Sequence, residues 1–158
     1  MLRMAPRLRF PYRKVFFGLV LVAVVILAVF GVLFWEYLSA SVTESEEAVR
    51  SFVQALDHYD ANATWGLMST ALQESYGTME SFNNTVLRGL RQSGWHAETM
   101  NMTVKANFTL PGSMVHNSAY IVASLLITES GLAPTNQTYS FELVKPSGWR
   151  IDKWSSGQ

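Results

Sequence analysis

From Val15 to Trp35 the chain runs 21 residues without a charged side chain, nearly all of them Val, Leu, Ile, Phe, Ala or Gly. At about 1.5 Å per residue this makes roughly 31 Å of helix, the thickness of a bilayer's hydrocarbon core. Phe16 and Phe17 at one end, and Phe34, Trp35 and Tyr37 at the other, put aromatic rings at the two headgroup levels. A secretory signal peptide has a shorter apolar region of about 7 to 15 residues. The small residues Ser39-Ala40-Ser41 offer a place for cleavage, but the uninterrupted run favours a retained anchor.

Charge orients this segment. Arg3, Arg7, Arg9, Arg13 and Lys14 precede it with no acid among them, and Glu36, Glu44, Glu46 and Glu47 follow it. The positive-inside rule then keeps the N-terminus in the cytoplasm and sends the remainder outside. The expected division is a basic cytoplasmic tail at 1–14, a transmembrane helix at 15–35, a short linker at 36–42, an extracytoplasmic domain at 43–154 and a tail at 155–158. From Glu36 onward there are seven Lys and Arg against twelve Asp and Glu, so the outer part is mildly acidic. A phosphate-binding face needs the opposite sign, which excludes nucleic acid as the expected partner. The chain has no cysteine, hence neither a disulfide framework nor a thiolate nucleophile or ligand.

Asn-x-Thr sequons occur at Asn62, Asn83, Asn101, Asn107 and Asn136, five of the chain's seven asparagines. Chance gives about one. All five follow the apolar segment, on the side that the charge rule assigns to the exterior, so N-linked glycans are expected there.

Past the anchor, Thr43-Glu44-Ser45-Glu46 has the pattern of a capping box and predicts a helix start. Ala48, Phe52, Val53, Leu56 and Tyr59 then give one apolar face. Trp65, Leu67, Met68, Ala71 and Leu72 predict a second helix stopped by Gly77, and Thr78 opens a third that carries Met79, Phe82, Val86, Leu87 and Leu90 and ends at Gly94. From Trp95 the period changes to two. Met100, Met102, Val104, Ala106, Phe108 and Leu110 alternate with polar residues on a long strand, and Pro111-Gly112-Ser113 turns the chain. A strand apolar on both faces follows from about Tyr120 to Thr128, then one carrying Tyr139, Phe141 and Leu143, a Pro146-Ser147-Gly148 turn, and a last strand from Trp149 to Trp154. The expected class is α+β: a transmembrane helix, then three helices packed on a curved antiparallel sheet of about four strands.

That order, closing with Phe141-Glu142-Leu143-Val144 and Gly148-Trp149-Arg150-Ile151-Asp152-Lys153-Trp154, resembles the nuclear transport factor 2-like superfamily over residues 43–154. The resemblance implies a sheet curled round the first helix as a cone with an open mouth. It also implies two kinds of function, since the superfamily holds cyclases, isomerases and epoxide hydrolases as well as binding and assembly modules, and fold alone does not choose between them. Met100, Met102, Val104, Phe108, Leu125, Phe141 and Trp149 are the residues expected to line the cone, and none is an acid, a base or an ordinary nucleophile.

A general acid or base must reach its substrate, so an untitratable wall predicts a module without catalytic activity, with a protein partner or a second copy of itself as well as the bilayer for company. The alternatives are an apolar ligand held in the cone or, less favoured, an isomerase or cyclase using Asp57 or His58 at the end of the first helix. His96 and His116 read as surface residues without a paired carboxylate, and neither a metal nor a cofactor is expected.

Overall fold

The computed structural model describes residues 12–107, 118–145 and 147–157, without the side chains of 12–18, 37, 38, 106 and 107. The tail cations, the aromatic rings of Phe16, Phe17 and Tyr37, Phe108, the Pro111-Gly112-Ser113 turn, His116 and the side chain of Asn107 therefore lie outside the described residues. The chain divides into two units, Met1–Ala40 and Ser41–Gln158.

Helix α1 (Tyr12–Asp57) contributes residues to both units. In the first, the large apolar side chains from Leu19 to Trp35 are all exposed, from 44% at Val20 to 73% at Trp35. The helix is long and apolar enough to cross a membrane, with a mean hydropathy of 2.7 over its most apolar 18 residues.

Residues 36–42, expected as a linker, and Thr43, expected as a cap, are both helical within α1. The physical reason is local. Ser39 Oγ donates to the Glu36 carbonyl at 3.0 Å and Ser45 Oγ to the Val42 carbonyl at 2.7 Å, so hydroxyls suited to capping bond back along the helix instead.

In the second unit α1 presents Val49, Phe52, Val53 and Leu56 at helical spacing, each 2% exposed or less. Tyr59 follows with a positive φ of 53°, and Asp60 N–H donates to the Ala55 carbonyl at 2.9 Å, closing the helix end. Asp60 then caps α2 (Ala61–Leu67) by accepting from Ala63 N–H.

The second expected helix is two: α2 and α3 (Thr70–Tyr76). Between them Met68 forms a parallel bridge with Ile151, and Ser69 N–H donates to the Ile151 carbonyl at 2.8 Å. An amide committed to a strand is lost to the helix ladder. Ser69 Oγ donates to Asp152 Oδ1 at 2.6 Å and accepts from Leu72 N–H at 3.0 Å, so one hydroxyl both docks the break on the sheet and caps α3.

Gly77 closes α3 with φ +79°, and Thr78 caps α4 (Met79–Phe82) through Ser81 N–H. A π-helical turn (Asn83–Leu87) leads into α5 (Arg88–Ser93), which Gly94 ends in the left-handed region.

Strands β1 (His96–Asn107), β2 (Ser118–Thr128), β3 (Thr135–Val144) and β4 (Arg150–Ser156) form an antiparallel sheet in the order β1-β2-β3-β4. Along β2, Ala119, Ile121, Ala123, Leu125 and Ile127 are buried while their neighbours turn outward. Phe52 reaches across this inner face, meeting Phe141 edge-on at 6.3 Å and Trp154 at 5.7 Å between ring centroids. Met68, Leu72, Phe82, Leu87 and Trp95 complete the core from the helical side. Burying one such ring fully is worth about 1.5–3 kcal/mol.

Two bulges shape the sheet. One lies between Thr99 and Asn101 on β1. The other interrupts β3–β4 pairing at Glu142 and Leu143, opposite Lys153 and Ile151, which leaves Asp152 as the extra residue that meets Ser69.

Candidate functional site

Asp57, the last residue of α1, carries its carboxylate where the helix exposes unpaired carbonyls, a place that favours cations. Its partners come from the start of β1. Oδ1 accepts from Ala97 N–H at 3.0 Å and lies 3.1 Å from His96 Nδ1. The expectation that His96 has no paired carboxylate is thus corrected, although its side chain remains 60% exposed. His58, the sequence neighbour, turns back instead: its Nδ1 is 2.8 Å from the Gln54 carbonyl and 3.9 Å from Asp57 Oδ2.

Tyr59 braces the same corner. Its hydroxyl donates to the Trp95 carbonyl at 2.7 Å, its ring is 6.1 Å from that of His96, and the Arg91 guanidinium lies 5.4 Å over it. Burial, then the nearby Asp57 charge, push the Tyr59 phenol above its ordinary value, and Arg91 pulls part of the way back. Asp57, His96, Ala97, Glu98, Leu126 and Thr128 surround a concavity of about 230 Å³. In the tautomer that carries its proton on Nδ1, His96 would donate to Asp57 and leave Nε2 facing away as an acceptor, the arrangement of an oriented general base.

Of the residues expected to line the cone, Leu125, Phe141 and Trp149 belong to the buried core, and Met102 and Val104 pack partly buried against it. Met100 does not share their face: it is 58% exposed. Thr99 pairs with buried Leu125 and Met102 with buried Ala123, so the bulge between them shifts the inward set from odd to even positions and puts Met100 outside. The indole Nε1 of Trp149 and the hydroxyl of Ser41 are buried without a hydrogen-bond partner among the described residues. Among the described residues no group of three or more His, Asp or Glu could hold a metal ion.

The sequons fall on different elements. Asn62 is exposed on α2, Asn83 is half-buried on the π-helical turn, and Asn101 and Asn136 are exposed on β1 and β3.

The architecture is α+β, helices packed on a four-stranded antiparallel sheet. No family model matches the chain, and no curated protein does. Among solved structures it is similar to a ketosteroid isomerase-like protein from Erwinia carotovora atroseptica, at 12% identity and a TM-score of 0.44, covering 72% of this chain and 92% of that one. It is also similar to a proposed dehydratase of the NTF2-like family from Streptomyces avermitilis, at 17% identity and a TM-score of 0.46, covering 76% of this chain and 98% of that one.

The expectation that the domain lacks catalytic activity is corrected on two grounds. Two similar structures bear the names of a ketosteroid isomerase-like protein and a proposed dehydratase. The untitratable sheet wall also leaves out Asp57 and His96, a carboxylate and an imidazole brought together from 39 residues apart. The signal for the pair was the position of Asp57: an acid in the last turn of a helix needs donors from elsewhere.

Proposed function

We propose that this is a single-pass membrane protein whose basic tail at 1–14 is cytoplasmic, whose residues 15–35 span the bilayer, and whose domain from residue 43 to 154 works outside as a binding or assembly module. Residues 36–42, helical in α1, join the two. The observation that carries this reading is the apolar stretch of α1, of which none of the most hydrophobic window is buried. Side chains of that kind, left out of the protein's own core, call for a lipid surround. The charge asymmetry on either side supports the orientation, and the basic tail suits anionic headgroups, at about 1 kcal/mol for each Lys or Arg. The partner expected is a protein or further copies of this chain.

Native mass spectrometry of the protein, extracted in gentle detergent from its own membranes with any sugars left on, tests the reading. A stoichiometric protein partner or a defined oligomer supports it. A lone chain carrying a small molecule overturns it in favour of a ligand site.

The Asp57–His96 pair beside its concavity favours a second reading, in which a small polar molecule binds there and gives up a proton to His96 Nε2. Isothermal titration of wild-type and His96→Ala protein with a library of small carbonyl compounds checks it. Binding that survives the substitution unchanged excludes this site.

A further inference from the structure

We infer that, of the four sequons whose asparagine side chains lie among the described residues, Asn101 and Asn136 are N-glycosylated in the folded domain and Asn62 and Asn83 are not. The inference rests on the extracytoplasmic placement proposed above. Glycan transfer needs two groups of a sequon at once: the Asn amide, which is modified, and the hydroxyl two residues on, which the transferase reads.

At Asn62 the second group is inaccessible. Thr64 is 0% exposed, and its hydroxyl donates to the Asp60 carbonyl at 2.7 Å inside α2. At Asn83 the asparagine is half-buried on the π-helical turn, and Thr85 donates its hydroxyl to the Ser81 carbonyl at 2.8 Å. Both sequons are also wound into helix, which holds the amide and the hydroxyl in place.

Asn101 with Thr103, and Asn136 with Thr138, are exposed at both positions and lie on extended backbone. Among the described residues, each of the two asparagines also stands at an open backbone edge. β1 is an edge strand, and Asn101 stands beside its bulge. The β3–β4 register starts at Tyr139 and one further bond runs from Gly157 N–H to the Thr138 carbonyl at 2.6 Å, so Asn136 lies beyond the end of that pairing. Asn101 pairs with Ser124, and Asn136 with Leu126 on the same outward side of β2. The two acceptors therefore straddle β2 on the outer face. The donor is a sugar carried on a polyprenyl phosphate or pyrophosphate. The Asn side-chain nitrogen bonds to the anomeric carbon, the bond from that carbon to the phosphate oxygen breaks, the phosphate leaves with the electron pair, and the nitrogen loses one proton to a base of the transferase. Sugars so placed cover the outer sheet face and the free edge of β1, where strand-to-strand association would otherwise start, and leave the helical side for a partner.

Site-resolved glycopeptide mass spectrometry of the full chain from its own membranes tests this, alongside Thr64→Ala, Thr85→Ala, Thr103→Ala and Thr138→Ala, which remove each acceptor hydroxyl and keep the asparagine. The expected result is sugar on Asn101 and Asn136, lost site by site in Thr103→Ala and Thr138→Ala, with the other two variants unchanged in attached sugar. Sugar on Asn62 or Asn83 at comparable occupancy overturns the inference. The chain has no cysteine, so Ser156→Cys offers a single label for a membrane-impermeant maleimide. Labelling from outside with Asn101 and Asn136 bare overturns the inference alone, whereas protection from the label overturns the extracytoplasmic reading itself.

Discussion

The carboxylate of Asp57 accepts the backbone N–H of Ala97 at 3.0 Å, tying the end of α1 to the first residues of β1 across 40 positions of sequence. Asp57→Ala leaves that amide without its acceptor and is expected to cost about 1–3 kcal/mol. His96→Ala, at an exposed side chain, is expected to cost under about 1 kcal/mol. Thermal unfolding of the detergent-solubilised chain, followed by circular dichroism, checks both. Equal losses would mean that the imidazole, not the amide, is the partner that matters.

Ser69 joins two structural jobs in one hydroxyl, the cap of α3 and the bond to Asp152. Ser69→Ala is expected to destabilise by about 1–2 kcal/mol, the upper part of the range for a lost cap. Ser69→Asp should keep the cap geometry but set two carboxylates together, so its loss should shrink when the pH is lowered. Chemical denaturation at two pH values separates these effects.

Leu125 is 1% exposed, in the same core as Phe52, Phe141 and Ile121. Leu125→Trp is expected to lower stability by about 1–3 kcal/mol through overpacking, read as a drop in the unfolding midpoint. A stable, folded Leu125→Trp would reveal room inside the cone. Trp149→Phe removes a buried indole N–H that has no partner among the described residues, and its cost should stay within about 1 kcal/mol because relief of the orphaned donor offsets lost contact area.

Gly94 ends α5 at φ +63°, and a Cβ built there would meet Ser130 Oγ. Gly94→Ala is expected to cost about 1–2 kcal/mol from the left-handed backbone alone, with the clash in addition. Pairing it with Ser130→Gly should return only the clash, which a double-mutant comparison of unfolding midpoints reads directly.

Burial, then the charge of Glu129, hold the Tyr139 phenol above its ordinary value of 10.0. The folded state therefore keeps this proton longer than the unfolded chain does. The resulting stability is intact below about pH 10 and is lost as the pH rises through the raised value. Absorbance titration at 295 nm, compared with Tyr139→Phe, should show that the phenol lost in the variant is one of those that ionise late.

Elements whose cause is local were legible in the residues. Gly77 and Gly94 stop helices because their backbones need positive φ, Thr78 caps because its hydroxyl reaches an amide three residues on, and the period of two past Trp95 marks strands. Elements that depend on a distant partner were not. The break between α2 and α3 follows from Ile151 taking the amide of Ser69, and Met100 faces outward because one extra residue on β1 shifts its register against β2.

The sequence by itself determined that an apolar, uncharged stretch long enough to span a bilayer precedes an α+β domain, because hydrophobic period, caps and turn residues act over a few positions. Only the tertiary structure decided that Asp57 and His96 form a pair, that Thr64 is sealed while Thr103 is open, and which side chains of β1 face the core. These outcomes depend on contacts between residues far apart in the chain, set by how helix ends and strand registers meet.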